Sequence, residues 1–190
     1  MTPILGIMAS QISGHLETNS YESIATTTLS SSQATITFSS IPATYKHLQI
    51  RFIARDSDTG STFNYTTLQY NGDTSTASYT YHVLSGNGAT AAGSGGGTGI
   101  INYNLGGYIV AGGATASVFG AGVIDILDYA NTSKYKTTRT LSGWDKNGAG
   151  SVGLSSGLWL STSAISSIVI GSQTGNLVQY TQFALYGIKG

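Results

Sequence analysis

Apolar and polar positions alternate at period two along much of this chain, and the clearest run is Val123 to Asp145. In its first arm Ile124 and Ile126 fall on one face and Val123, Asp125 and Leu127 on the other, the pattern of a half-buried strand. Asn131-Thr132-Ser133 supplies turn chemistry, because short polar side chains there bond their own backbone. The second arm alternates again as Tyr135, Thr137, Arg139 and Leu141, so the run predicts a hairpin. Antiparallel pairing of its arms sets Asp125 or Asp128 near Lys134, Lys136 or Arg139, where opposite charges across a ladder are mildly favourable.

The same reading extends to both sides of the hairpin. Tyr21–Leu29 and Ala34–Phe38 predict two short strands around a polar turn. Tyr45–Arg55 predicts a long strand with Leu48, Ile50, Phe52 and Ala54 facing inward, and His47, Gln49, Arg51 and Arg55 facing solvent. Phe63–Tyr70 and Tyr79–Leu84 form two more strands around the Asn71-Gly72-Asp73 turn. Ser85–Gly99 is low in complexity and glycine-rich, and predicts a flexible loop. Ile100–Val110 alternates with a bend at Gly106-Gly107. Ser151–Leu160, Ala164–Ile170 and Gln182–Ile188 complete the set. No ten-residue amphipathic helix is evident. Many short strands joined by Gly, Ser and Asn turns predict an all-β fold, an antiparallel β-sandwich of jelly-roll character, over residues 21–190.

Residues 1–20 differ. Ile4, Leu5, Ile7, Met8 and Ile12 are apolar without helical or strand period, which predicts an extended N-terminal arm that anchors the domain to another chain; a short first strand is the alternative. The start lacks a basic n-region, so no signal peptide is read.

Composition narrows the function classes. Charged residues are 8% of the chain, formal net charge is zero, and no Lys/Arg cluster occurs, so the electrostatic term that drives nucleic-acid binding is missing. No apolar run reaches the length of a membrane-spanning helix. With no cysteine there is neither a disulfide framework nor a thiolate nucleophile.

Sites for catalysis are weak. Gly153-Leu154-Ser155-Ser156-Gly157 has the spacing of a nucleophile elbow, but beyond Asp145 there is no Asp, Glu or His to complete a triad. Gly93–Gly99 lacks the Lys-Ser/Thr pair of a phosphate loop. His15, His47 and His82 are scattered, Asp56 and Asp58 with Gly60 make an Asx turn more readily than a calcium loop, and Glu17 and Glu22 are the only glutamates. The reading is a non-enzymatic protein with no cofactor and no metal. Tyr79, Tyr81, Trp144 and Trp159 are the aromatic candidates for stacking on a glycan, against the commoner use of such rings in packing.

Several blocks resemble a known family. Thr2-Pro-Ile-Leu-Gly-Ile-Met-Ala-Ser-Gln-Ile-Ser-Gly14, Tyr21-Glu-Ser-Ile-Ala-Thr26, Tyr45-Lys-His-Leu-Gln-Ile-Arg51, Asp125-Ile-Leu-Asp-Tyr-Ala-Asn131 with Lys134-Tyr-Lys-Thr-Thr-Arg139, Ser156-Gly-Leu-Trp-Leu160 and Phe183-Ala-Leu-Tyr-Gly-Ile-Lys-Gly190 are similar to small virion proteins of tailed bacteriophages, many from aquatic environments. The resemblance spans nearly the whole chain and carries no catalytic residue. It implies a virion structural protein, commonly a homotrimer, on the capsid surface or the tail and assembled in the host cytoplasm. A trimeric head decoration protein bound to the major capsid protein is the first expectation. A tail-fibre or receptor-binding component, joined to tail or baseplate proteins and recognising a host surface glycan, is the alternative.

Overall fold

The computed structural model describes residues 20–97 and 105–190. The arm expected over residues 1–20, with Ile4, Leu5, Ile7, Met8 and Ile12, lies outside the described residues except for Ser20. Twelve strands follow: β1 Tyr21–Thr28, β2 Thr35–Phe38, β3 His47–Ala54, β4 Phe63–Tyr70, β5 Tyr79–Gly86, β6 Ala91–Gly96, β7 Tyr108–Val110, β8 Gly120–Leu127, β9 Lys136–Asp145, β10 Gly150–Trp159, β11 Ile168–Ser172 and β12 Gln182–Ile188. They form an eight-stranded sheet in the order β1-β12-β3-β8-β9-β10-β5-β6 and a four-stranded sheet in the order β2-β11-β4-β7. Neighbouring strands in both sheets pair antiparallel.

The core lies between the sheets. Leu48, Ile50, Ile124, Ile126, Phe183 and Leu185 from the larger sheet meet Ile36, Phe38, Leu68, Tyr70, Ile168 and Ile170 from the smaller. Each large apolar side chain so buried contributes roughly 1.5–3 kcal/mol. Phe52 and Phe183, opposite each other on β3 and β12, stack at 5.3 Å. Tyr70 ties the layers together, its hydroxyl 2.6 Å from Thr138 Oγ1 on β9.

The expected hairpin forms as β8 and β9. Its Asx turn has Asn131 Oδ1 accepting the Ser133 N–H, Asp125 pairs with Arg139 at 2.9 Å, and Asp128 pairs with Lys134. Lys136 takes no carboxylate partner. It is buried, and its ammonium donates to the carbonyls of Lys134 and Thr162 at 2.9 and 3.0 Å.

Other expectations are corrected. The glycine-rich stretch after Ser85 is partly a strand: β6 pairs with β5 through backbone bonds that need no side-chain propensity. Residues 71–78 between β4 and β5 are not a hairpin turn, because the two strands belong to different sheets. Asn71 instead ties the crossing to the β10–β11 connection, accepting the Ser166 N–H and donating to the Ala164 carbonyl, both at 2.8 Å. Strand β11 begins at Ile168, four residues later than expected. Arg55 is buried and not solvent-facing. Its guanidinium donates to the carbonyls of Gly112, Ala114, Thr115 and Val118 at 2.7–3.1 Å, holding the loop before β8.

Candidate interaction surface

Alternation has opposite senses in different parts of the larger sheet. On β3, β8 and β12 Leu48, Ile50, Phe52, Ile124, Ile126, Phe183 and Leu185 face the core. On β9 and β10 the inner positions are Lys136, Thr138, Thr140 and Ser142, and Gly153, Ser155, Gly157 and Trp159. The small size of the middle six, Thr138 to Ser142 on β9 and Gly153 to Gly157 on β10, has a physical cause. The backbone entering β7 lies directly on them, so Thr140 Oγ1 donates to the Leu105 carbonyl at 2.6 Å and Ser142 Oγ accepts the Tyr108 N–H at 2.8 Å. A Cβ on Gly157 would strike the Leu105 side chain, and one on Gly153 the Tyr108 ring. Gly107 adopts φ +80°, in the left-handed region.

The outer positions of these strands therefore carry the large apolar groups. Register places Arg51, Val123, Leu141, Leu154 and Leu84 in one row across β3, β8, β9, β10 and β5. The next row is Ile53, Ala121, Gly143, Val152 and Gly86, continued by Ala91 on β6. Ile53, Leu84, Leu141, Val152 and Leu154 are 46, 59, 56, 55 and 47% exposed. On the other side of the first row runs a polar one, Gln49, Asp125, Arg139, Ser156 and His82. It is internally satisfied: Arg51 donates to Gln49, and Gln49 and Arg139 both donate to Asp125, each at 2.9 Å. Val123, Leu141, Leu154 and Leu84 thus form one apolar row, and in the next row Ile53 and Val152 stand among Ala121, Gly143, Gly86 and Ala91. Depressions of about 370 Å³ over Ala121 and Gly143 and about 280 Å³ over Gly86 and Ala91 both border Val152, and one of about 450 Å³ lies between Leu141, Leu154 and the Asp125–Arg139 pair.

The aromatic candidates separate. Tyr79 and Trp159 are buried, pack against Tyr70 with centroids at 6.3 and 5.6 Å, and bond inward, Tyr79 to the Asp73 carbonyl and Trp159 Nε1 to Asp73 Oδ2. Core packing takes both rings away from any glycan, and burial pushes the Tyr79 hydroxyl up to about 12. Tyr81 is half-buried against the core. Trp144 stands at one end of the sandwich, stacked on Phe63 at 5.1 Å, beside an open cavity of about 360 Å³ lined by Asn87, Gly88, Asp145 and Ser151.

The remaining polar groups serve structure. Asp56 Oδ1 accepts the Asp58 N–H and Asp58 Oδ1 the Gly60 N–H, an Asx pair, while Asn64 donates to both carboxylates at 2.7 and 3.1 Å. Burial raises the pKa of Asp56, and the Asn64 amide is the main cause lowering that of Asp58. Ser155 of the elbow-like sequence is buried on the inner face of β10. Among the described residues no group of three His, Cys, Asp or Glu is placed to hold a metal, and no helix is long and apolar enough to cross a membrane.

Comparison of the chain with protein-family models, curated proteins and solved structures gives no match. Leu84, Val152 and Ile53, prominent on the outer face, were not singled out by alternation, which assigns two faces without saying which is covered.

Proposed function

We propose that this protein is a non-enzymatic structural component of a bacteriophage virion, a trimeric decoration protein on the capsid surface. The observation that carries the assembly half of this reading is the exposed apolar face of Ile53, Leu84, Leu141, Val152 and Leu154, which a protein working alone would leave in water. Bacteriophage origin rests on the sequence blocks Tyr45–Arg51, Asp125–Asn131 and Phe183–Gly190 and their resemblance to virion proteins. Strand order supports the jelly-roll reading. Strands β1, β12, β3 and β8 lie side by side in the larger sheet and β2, β11, β4 and β7 make the smaller, so the chain passes between two sets of four, and hairpins β5–β6 and β9–β10 widen one set. Residues 1–19 are the anchoring arm in this proposal.

Gold-labelled antibody against the purified protein tests it on intact virions. Dense labelling over the head is expected, and deletion of residues 1–19 should abolish incorporation while the far-ultraviolet circular dichroism stays β-rich. Label confined to the tail overturns decoration. That outcome favours the second reading, a receptor-binding component, for which the open cavity beside Trp144 is the specific observation.

A further inference from the structure

We infer that the outer face of the eight-stranded sheet is the contact between copies of this chain, the apolar side chains of one packing into the hollows of the next. The inference rests on the trimeric reading above and says which surface makes the trimer.

Three features favour a second copy over other occupants. First, the face carries both projections and hollows. Ile53, Leu84, Leu141, Val152 and Leu154 stand out from it, and depressions lie beside them over Ala121 and Gly143 and over Gly86 and Ala91. Second, the size is right. Strands lie about 4.8 Å apart and residues on one face repeat every ~6.8 Å, so the face from β12 to β6 covers on the order of 800 Å², the share one partner gives to a standard interface. Its centre is apolar and its polar row lies to one side, as an interface core and rim do. Third, nothing keeps copies apart. Formal net charge is zero, and Asp125 and Arg139 neutralise each other within the polar row. Projections and hollows lie side by side on one face, so three such faces turned toward a common axis bring the projections of each copy against the hollows of its neighbour.

The chain has no cysteine, so a single introduced thiol reports directly on cover. Leu154→Cys and, as control, Asn131→Cys at the β8–β9 turn are labelled with a maleimide in the full-length protein. Labelling at position 154 should be at least ten-fold slower than at position 131. Leu141→Asp/Leu154→Asp should sediment as a monomer with unchanged circular dichroism, and Gly143→Leu, which fills one of the hollows, should do the same. If the native protein is a trimer but position 154 labels as fast as position 131 and both variants stay trimeric, this inference fails and the trimeric reading stands. A native protein that sediments as a monomer defeats both. Protection at position 154 that survives in the monomer and is lost on deleting residues 1–19 assigns the face to the chain's own N-terminal segment, and also overturns the inference.

Discussion

Leu141 and Leu154 stand directly opposite each other across the β9–β10 ladder, side chains outward and about half exposed, while Thr140 and Ser155 form the buried pair beside them. Greater apolarity at the buried positions should therefore weaken the fold. Thr140→Val keeps the shape but strands the Leu105 carbonyl, and Ser142→Ala strands the Tyr108 N–H. Each should cost about 1–3 kcal/mol, the penalty of an unsatisfied buried group. Urea unfolding at fixed protein concentration measures it. Unchanged midpoints would show that the inner face of β9 does not hold the segment entering β7.

Arg55 supports a second prediction. One planar guanidinium reaches four carbonyls of residues 112–118, a geometry that a lysine ammonium with three donors on a flexible stem does not reproduce. Arg55→Lys should destabilise by roughly 2–4 kcal/mol, since hydrogen bonds to a charged group are worth ~1.5–3 kcal/mol each and the buried charge keeps only part of its partners. The readout is the thermal unfolding temperature, with amide exchange of residues 112–118 showing the loop released first.

A third concerns close packing. Gly157 faces Leu105 so closely that a Cβ has no room. Gly157→Ala should cost about 1–3 kcal/mol through overpacking. Leu105→Ala should also destabilise, yet the double variant should be less unstable than the sum, because the introduced methyl occupies space the leucine vacates. Additive losses in the cycle would place the strain elsewhere.

Much of this architecture is legible in the alternation of particular residues. Leu48, Ile50, Phe52 and Ala54 face inward as their period requires, and the β8–β9 hairpin closes around Asn131 with Asp125 beside Arg139. What escaped is set by distant partners. Arg55 looks like the last solvent-facing residue of β3 until the carbonyls of residues 112–118 arrive. Strand β6 is made of Ala, Gly and Ser and becomes a strand only because β5 offers it a ladder. Trp159 and Tyr79 carry no mark that separates a core ring from an exposed one; Tyr70 and Asp73 decide it. For β9 and β10 the sense of alternation is reversed by a stretch of backbone lying on the inner face, which no local pattern records.

Acid should loosen the β8–β9 turn. Hydrogen bonds from Lys134 and then Lys46 hold the Asp128 carboxyl down to about 2, well below its ordinary range, and Asp128 itself sits at φ +48°. A folded-state pKa depressed in this way gives stability that is fully present above the unfolded value of roughly 4 and is lost as pH falls toward about 2. Asp128→Asn tolerates the positive φ and has no proton to gain. Its stability should fall less steeply over that acid window than that of the native protein, measured by urea midpoints at each pH. Parallel slopes would remove Asp128 from the acid response.

The β5–β6 turn is where the domain should accept added chain. Asn87 Oδ1 accepts the N–H groups of Ala89 and Thr90 at 3.0 and 2.8 Å, and Gly88, at φ +90°, has open space around it. Lengthening such a loop costs only ~0.6 kcal/mol per doubling. Seven residues on, Gly95 opposes His82 within the paired β5–β6 ladder, so the glycine-rich look of that position is misleading. A peptide tag after Gly88 should leave folding, trimer formation and incorporation intact and be reachable by antibody on the virion; the same tag after Gly95 should detach β6 and lower the unfolding midpoint. The turn also borders the cavity beside Trp144. If the Gly88 tag permits incorporation but stops adsorption to host cells, recognition at that end of the sandwich displaces decoration as the protein's role, whereas normal adsorption with full incorporation is the result that decoration requires.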